Sequence, residues 1–484
     1  MIRKALLPAF ILVFFAVLSV FGQAAMADKE EKMTMEFLDS RQAQFAGMAQ
    51  QIWEWAELGY QEYKSSALLQ EALKKEGFEV TAGVAEIPTA FVAAYGSGKP
   101  VIGILAEFDA LPGVSQDKVP YRQERENCTA GHACGHHLFG TASAAAAIAV
   151  KKWLLENKFS GTVRLYGCPA EEGGGGKVYL VRAGLFDDVD AVLHWHPGNS
   201  NSAVAGSSLA NKSAKFRFYG NASHAAASPW NGRSALDGVE AMDMMVNMMR
   251  EHVPQETRIH YVITKGGEAP NVVPEFAEVF YYVRHPDMEQ VKAIFERVVK
   301  AAEGAALGTG TRMDYEVIHG IYNLLPNRTL GEVIQNKLEK VGGVVYTDEE
   351  KAFAEKIMTT YNPGGATIGS AAEVKPFSVE EKGVGGSTDV GDVSWAVPTA
   401  GMTAATWAPG TSAHSWQAVA AGGTGIGTKG MMVAAKTLAL SAMELIRHPE
   451  LNDKAKTELL ERRGDNFKYE SLLGDRKPPL DYRN

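Results

Sequence analysis

The residues best suited to chemistry are concentrated in one stretch, residues 128–137, which holds three histidines and two cysteines. Thiolate and imidazole together suit a divalent first-row ion such as Zn²⁺. Cys134 and His136 cannot share a helix face, but Gly135 between them permits a loop on which both side chains converge. The alternative is a free cysteine beside histidines that cluster by chance. The stretch therefore predicts part of a metal site, and further ligands must come from elsewhere in the chain.

Pairs of carboxylates follow two predicted strands. A buried apolar strand ends in Glu107 and Asp109, and a second strand leads into Glu171 and Glu172 before four glycines. Open α/β sheets place their sites at the carboxyl ends of strands. Neighbouring side chains on a non-helical backbone point apart, so one glutamate can bind a metal while the other faces its water as a general base. The alternatives are a turn residue at Asp109 and an acidic flexible loop at the glutamates.

Three further histidines are candidates. His194 and His196 lie on the same face of a predicted strand, so one is expected to be a ligand and the other structural. His414 lies on a Gly/Ser-containing loop before an Ala/Gly-rich helix.

Length and composition indicate a globular enzyme with two domains. The chain has 484 residues, of which 46% are hydrophobic and 22% charged. The net charge of −9 gives no overall basic field, which argues against a nucleic-acid partner. Three cysteines cannot all pair and do not form a disulfide scaffold. A Cys128–Cys134 disulfide stays open as an alternative that would destroy the metal site.

Residues 1–27 have the pattern of a secretory signal. Arg3 and Lys4 precede an apolar run, and Ala25-Met26-Ala27 forms a small-residue cleavage site. We expect cleavage after Ala27 and a periplasmic or secreted protein with no stable membrane span in the mature form. The alternative is an uncleaved N-terminal anchor.

The order of predicted elements indicates an α/β fold with an insertion. Residues 28–205 and 323–450 form one discontinuous domain with a central, mostly parallel sheet flanked by helices. Residues 206–322 follow a strand–helix–strand–strand–helix pattern, which predicts a ferredoxin-like α+β unit. Residues 451–484 are expected to form a polar tail or a short docking helix.

Taken together, these motifs resemble the metal-dependent amidohydrolase family that includes aminoacylases, glutamate carboxypeptidases and auxin–amino acid conjugate hydrolases. The most similar branch resembles p-aminobenzoyl-glutamate hydrolase. The motifs occur in the family's order over nearly the whole mature chain: Asp109 to Pro112, His132 to His136, Pro169 to Gly174, His196, Ser223 to Ala226, Asn271 to Pro274, and His414-Ser415.

The resemblance implies a two-metal centre in which Cys134 bridges both ions. It assigns Glu171 as the general base and Asp109 as a carboxylate that orients a ligand. The remaining ligands that it implies are His136, Glu172, His196 and His414. The expected cofactors are two divalent ions per subunit, Zn or Mn, with Co as a further option.

The inserted unit resembles the family's dimerisation and lid domain. The resemblance implies a homodimer in which His224 reaches the partner's site and donates to the oxyanion. It also assigns Asn271 and Arg284 to binding of the substrate's α-carboxylate.

Two positions depart from the family pattern. His137 replaces the usual Asp, as in the aminobenzoyl-glutamate branch, and the role of Asp389 is left undefined. The expected activity is hydrolysis of the amide bond of an N-acyl or N-aroyl amino acid, a small-molecule substrate, with release of the free amino acid. The alternatives are an exported broad dipeptidase or aminoacylase and, in another class, a non-catalytic protein that binds amino-acid conjugates.

Overall fold

A computed structural model describes residues 25–381, 383 and 385–483. The predicted secretory signal therefore lies outside the described residues except for its last three. These three residues open a helix, α1, which spans residues 25–40.

The other helices are α2 (Gln42–Trp55), α3 (Tyr63–Lys75), α4 (His136–Asn157), α5 (Gly176–Arg182), α6 (Ala235–Met249), α7 (Met288–Thr309), α8 (Arg328–Val341), α9 (Asp348–Met358), α10 (Val390–Ala396), α11 (Trp416–Gly422), α12 (Gly425–Arg447) and α13 (Pro449–Arg463). The strands are β1 (Glu79–Ala82), β2 (Phe91–Ser97), β3 (Val101–Glu107), β4 (Leu111–Pro112), β5 (Ala130–Gly131), β6 (Gly161–Cys168), β7 (Ala191–Gly198), β8 (Ser202–Gly206), β9 (Ala210–Tyr219), β10 (Arg258–Lys265), β11 (Phe276–His285), β12 (Arg312–Ile321), β13 (Ser378–Glu380) and β14 (Thr399–Ala405).

The larger sheet has the strand order β1-β2-β6-β3-β7-β14-β8-β13. Its centre, from β6 to β14, is parallel, whereas β1, β2 and β6 pair antiparallel, as do β14 and β8. The sheet is therefore mixed, with the predicted parallel strands in the middle. Every residue of β3 is buried, as expected for a strand covered on both faces.

Helix α4 forms the centre of the helical layer on one face of this sheet. Its alanines at positions 144–147 are fully buried and pack with α2, α3, α8 and α12. Within the described residues it is the one helix long and apolar enough to cross a bilayer, but most of its surface is buried inside the domain. Small side chains let neighbouring elements approach it closely, and α5 and α10 cover the opposite face.

The inserted unit runs β9–α6–β10–β11–α7–β12, from Ala210 to Ile321. Its strands form an antiparallel sheet in the order β10-β11-β9-β12. This is the ferredoxin-like arrangement that the sequence predicted, completed by β12 as a fourth strand. The edge strand β10 is largely exposed along its length.

Residues 464–483, predicted as part of a polar tail, pack along both domains. Leu472 joins the core of the ferredoxin-like unit, and Leu473 joins the core beneath α5 and α10. Tyr469 donates a hydrogen bond from Oη to Asp392 Oδ1 (2.6 Å). The few apolar residues of this charged segment are the ones that anchor it.

We predict that Leu473→Ala destabilises the protein by about 2–5 kcal/mol, because it opens a cavity in a closed core. The exposed Leu155, which is 55% accessible, gives a matched Leu→Ala control expected to change stability by less than about 0.5 kcal/mol. The midpoint of urea unfolding measures both. Equal effects of the two substitutions would contradict the docking of this segment.

We predict that stability falls as the pH rises from about 4 to 7, partly because of Asp392. Burial raises the pKa of this carboxyl from 3.8 to about 7. Over that interval the unfolded chain releases the proton while the folded chain retains it, so the unfolded state is favoured. Asp392→Asn should flatten the dependence of the urea midpoint on pH. Asp465→Asn, at an exposed site, is the matched control, and an unchanged slope in Asp392→Asn would refute the assignment.

Candidate active site

The candidate catalytic residues meet where three adjacent parallel strands end. Glu107 closes β3, the Glu171–Glu172 pair follows β6, and His196 lies near the end of β7. Strands β6, β3 and β7 are direct neighbours in the sheet, so their carboxyl ends lie side by side. The topology thus gathers residues that are distant in the sequence.

The Cys134 loop is shaped by its glycine. Gly135 has a φ of 78° and a Cβ there would lie 2.6 Å from Pro197 Cβ, so a larger residue is excluded twice over. The loop ends as α4 begins at His136. The backbone N–H of His414 donates to Ala133 O (2.9 Å), which ties the His414 loop to it.

One group of potential ligands consists of Cys134, His136 and His196, whose donor atoms all lie within 4.8 Å of one another. Cys134 Sγ is 3.3 Å from His196 Nε2. His196 Nδ1 lies 2.7 Å from Pro197 O. A proton on Nδ1, donated to that carbonyl, leaves the Nε2 lone pair free to bind a metal.

A second group consists of Cys134, Glu172 and His414, again within 4.8 Å. His414 Nε2 lies 3.2 Å from Glu172 Oε1, and its ring is exposed on one side. Cys134 belongs to both groups, which is the arrangement of a thiolate shared by two ions. The structure thus brings together all five ligands that the resemblance implied.

Asp109 connects the two groups. Its Oδ1 lies 2.9 Å from His136 Nδ1, and its Oδ2 accepts a hydrogen bond from the backbone N–H of Glu172 (2.9 Å). Burial alone would raise the pKa of Asp109, but the adjacent His136 outweighs it and lowers the pKa below its usual value. An ionised Asp109 can therefore hold one ligand from each group.

The donor set fits divalent metal ions. His136 Nε2 and Glu172 Oε1 are buried and have no hydrogen-bond partner, although Glu107 and His414 lie close to them. Burial raises the pKa of the Cys134 thiol well above its ordinary value, so a thiolate here requires a nearby cation. Sulfur, imidazole and carboxylate donors together suit Zn²⁺ and related ions.

Glu171 lies beside these ligands without belonging to either group. Its carboxylate is within 4.8 Å of Glu107 and His136 donor atoms. Burial and the negative charges of Glu107 and Glu172 raise the pKa of Glu171 well above its usual value. The adjacent glutamates thus face different surroundings, as expected for neighbours on a non-helical backbone.

Sequence reasoning missed a buried ion-pair chain behind the site. Lys177 Nζ contacts Asp389 Oδ1 (2.6 Å) and Glu107 Oε1 (2.7 Å), and Glu107 Oε2 lies 3.0 Å from His136 Nε2. All four side chains are fully buried or nearly so. A lysine after a glycine-rich loop looks like a surface residue in the sequence. Asp389, whose role the sequence left undefined, is Lys177's partner.

The other histidines near the motif have structural partners. His132 Nε2 lies 3.1 Å from Ile52 O, and His137 Nε2 lies 3.1 Å from Gly422 O. Burial lowers the pKa of His137 to about 3, so it is neutral. His194 lies below His196 on β7 and outside both ligand groups.

All three cysteines are free thiols. Cys128 Sγ donates to Ala130 O (3.3 Å) and is therefore turned toward its own loop. The structure does not form the Cys128–Cys134 disulfide that the sequence left open. Cys134 is thus available to both ligand groups.

Two of the predicted substrate-contacting residues lie on the surface of the ferredoxin-like unit. His224 and Asn271 are exposed neighbours, joined by a hydrogen bond from Ala225 N to Asn271 O (3.0 Å). None of the described contacts connects them to the ligand groups of the same chain. An apolar surface surrounds them, with Trp230 72% and Val272 48% exposed.

Arg284 takes a different position, on β11 and close to the catalytic loop of its own chain. It is near His319, and the charge of Arg284 helps burial to lower the pKa of His319 to about 4. A Cβ on Gly175 would lie 3.6 Å from the His319 ring. Arg284 Nε is buried without a partner.

Residues 482 and 483 contact the Glu171–Glu172 loop from another side. Tyr482 Oη and Arg483 Nη2 both donate to Glu172 O, at 2.9 Å and 2.6 Å. Tyr60 donates to Gly174 O in the same loop (2.9 Å) and packs edge-on against Tyr482. The loop is therefore fixed by the segment that the sequence presented as a tail.

Comparison with known sequences places this site among hydrolases. The family model described as a peptidase dimerisation domain, M20_dimer, matches residues 210–309. The chain is 44% identical to one of the two kinds of subunit of the p-aminobenzoyl-glutamate hydrolase of Escherichia coli K12, over 84% of this chain and 90% of that protein. It is 29% identical to a mouse Xaa-Arg dipeptidase over 90% of this chain and 94% of that protein.

Solved structures share the fold. An aminobenzoyl-glutamate utilization protein from Klebsiella pneumoniae matches with a TM-score of 0.59 and 17% identity, covering 84% of this chain and 97% of that one. A dinuclear metal-binding peptidase of the M20 family from Bacillus subtilis matches with a TM-score of 0.56 and 18% identity, covering 84% and 99%. On the strength of the 44% identity, this chain belongs to the M20 family of peptidases and amidohydrolases.

Proposed function

We propose that this protein hydrolyses the amide bond of N-acyl or N-aroyl amino acids similar to p-aminobenzoyl-glutamate and releases the free amino acid. The observation that carries the proposal is the pair of ligand groups sharing Cys134, with Glu171 beside them. The relatives support the substrate class, since their names include p-aminobenzoyl-glutamate hydrolase and hippurate hydrolase. A dipeptidase or aminoacylase activity is the alternative that the Xaa-Arg dipeptidases favour.

Two divalent ions, Zn²⁺ or Mn²⁺ with Co²⁺ as a further option, are part of the proposal. Cys134, His136 and His196 would hold one ion, and Cys134, Glu172 and His414 the other. When bound, such a pair supplies Lewis acidity toward the amide carbonyl and activates the attacking water. The softness of the thiolate favours Zn²⁺.

Glu171 would move the proton. Its carboxylate accepts a proton from the attacking water and delivers it to the nitrogen of the departing amino acid. Asp109 keeps His136 and the Glu172 backbone in register, and Lys177 holds Glu107 against His136. A non-catalytic binding protein would have no use for Glu171, and its presence beside an intact ligand set favours the enzyme.

A second copy of this chain is the partner that we propose. The edge strand β10 exposes Val262 (56%) and Ile263 (39%), and the adjacent α6 exposes Met244 (62%) and Met248 (65%). An unpaired strand edge flanked by apolar side chains is suited to pairing with its own copy about a two-fold axis. Two of the relatives are named as different subunits of one hydrolase, which makes a related but different chain the competing partner.

In such a dimer, His224 and Asn271 would complete the partner's site. Both are exposed and remote from the ligands of their own chain, so a role in catalysis requires another subunit. His224 would donate to the oxyanion, and Asn271 would bind the α-carboxylate together with Arg284. The exposed Trp230 beside them fits a surface that association covers.

We also propose that the protein is exported to the periplasm or secreted. The support is the succession of basic, apolar and small residues in positions 1–27. An external location agrees with a scavenging role on amino-acid conjugates. Cys134 would then stay a thiolate because bound metal protects it.

The adjacent glutamates provide a test of the assigned roles. Glu171→Gln should lower kcat by about 10²–10⁴-fold with both metals retained, because it removes a proton acceptor and no ligand. Glu172→Gln should lose metal as well as activity, because a neutral amide is a poorer ligand. Hydrolysis of p-aminobenzoyl-glutamate, followed by mass spectrometry, and metal content by elemental analysis distinguish them.

The same variants define the failure of the proposal. Loss of metal from Glu171→Gln would make this residue a ligand and overturn its role as base. Wild-type protein that holds two metals but releases no amino acid from N-aroyl, N-acetyl or dipeptide substrates would favour the binding-protein alternative.

Mixed dimers test whether His224 acts on the partner. His224→Ala and Glu171→Gln proteins, each inactive alone, should recover about one quarter of wild-type activity after dissociation and reassociation in equal amounts. Half of the dimers are then mixed, and each has one site with an intact Glu171 and an intact His224. Light scattering confirms the dimer.

Each variant dissociated and reassociated with itself provides the control, since two copies of the same variant cannot complement one another. Complete absence of recovery in the mixture would place His224 in its own subunit's site or outside catalysis. Recovery only on addition of a second, different chain would establish a heteromer.

A further inference from the structure

A cavity of about 140 Å³ opens beside the ligand groups, on the sheet face that carries His194 and His196. Its other walls come from β8, from β14 and from the chain that returns from the ferredoxin-like unit, at Leu324 and Pro326. His196 is common to the cavity and to the ligand groups, since its Nε2 lies 3.3 Å from Cys134 Sγ. The cavity therefore adjoins the place where the reacting amide would lie.

The lining of this cavity is apolar and uncharged. Val204, Leu324, Pro326 and Met402 contribute much of the wall, and no Lys, Arg, Asp or Glu is among its described lining residues. A carboxylate placed there would lose its hydration without gaining a charged partner. The amino-acid half of the substrate is thus excluded from it.

We propose that this cavity binds the acyl group of the substrate and that it is suited to an aromatic acyl group. This inference rests on the proposed amide hydrolysis. The volume is roughly ten times the minimum that one water molecule requires, which is far more than an acetyl group fills. A planar aromatic ring would bury its faces against the apolar walls, which is favourable in proportion to the area covered.

One polar atom faces this apolar space. His194 Nε2 is buried and has no hydrogen-bond partner among the described residues. The ring lies flat against Gly401, where a Cβ would overlap it. A polar substituent on the acyl ring would give this nitrogen the partner that it lacks, which makes a substituted aroyl group the best match.

Filling the cavity tests the inference. Val204→Phe should lower kcat/KM for N-benzoyl-glutamate by at least about tenfold relative to N-acetyl-glutamate, because only the aromatic acyl group needs the space. Val345→Phe, at a position 72% exposed on a distant loop, is the matched control. Thermal unfolding and metal content are measured for both variants.

Enlarging the cavity gives a second test that does not depend on the first variant folding. Leu324→Ala should raise kcat/KM for N-naphthoyl-glutamate relative to N-benzoyl-glutamate. Competition by free 4-aminobenzoate, the acyl product, should weaken at least about fivefold in Val204→Phe. This inhibition constant reports occupancy of the cavity independently of turnover.

The outcomes separate the inference from the proposed function. If acetyl and benzoyl substrates lose the same factor in Val204→Phe while Leu324→Ala leaves the acyl preference unchanged, the cavity does not bind the acyl group. If Val204→Phe instead alters the preference among amino acids joined to one acyl group, the cavity belongs to the amino-acid half. If wild-type protein cleaves none of the substrates, the proposed function fails first.

Discussion

Buried negative charge is the constraint on which the rest of this structure depends. Six carboxyl groups are concentrated around the ends of β3 and β6, while Lys177 is the one ammonium group paired with them in the described chain. They are Glu62, Glu107, Asp109, Glu171, Glu172 and Asp389. Each isolated buried charge costs several kcal/mol, so most of these groups must either keep a proton or gain a cation. Burial accordingly raises the pKa of Glu62 to about 8 and raises those of Glu107 and Asp389. Two divalent ions would balance this excess, which is a physical reason for a dinuclear centre independent of any relative.

That charge can be held only because the fold satisfies it with fixed partners. Asp109 is bonded on one side to His136 and on the other to the Glu172 backbone. Glu62 accepts hydrogen bonds from Thr89 Oγ1 (3.0 Å) and from Ala170 N (2.8 Å), the latter just before the glutamate pair. These bonds join β3, β6 and the preceding helices into one rigid frame. Ligands borne on such a frame need little reorganisation when ions or substrate bind.

The sequence predicted most of the fold, because each domain has a regular hydrophobic pattern. The apolar run of β3 and the βαββα order of the inserted unit were sufficient to identify both layers, and β12 completed the second. Ligand types could be predicted at Cys134 and His136, where an unusual cluster stands out. Lys177 could not, because nothing local shows that a lysine is buried; only the fold brings it to Asp389, more than two hundred positions away. Residues 464–483 were misleading for the same reason, since their few anchors are scattered among charges.

The ligand loop is held between elements of both domains, which couples the site to the position of the ferredoxin-like unit. From one side, Tyr482 and Arg483 bond the carbonyl of Glu172. The same segment is tied to β12, where Arg476 Nη2 lies 3.1 Å from Glu316 Oε1. From the other side, His319 of β12 approaches Gly175. A displacement of the ferredoxin-like unit would therefore act on the loop through two routes, and both routes end within a few residues of Glu171. Because the partner's His224 would be carried by an equivalent unit, association and closure would set the position of the base and of the oxyanion donor together.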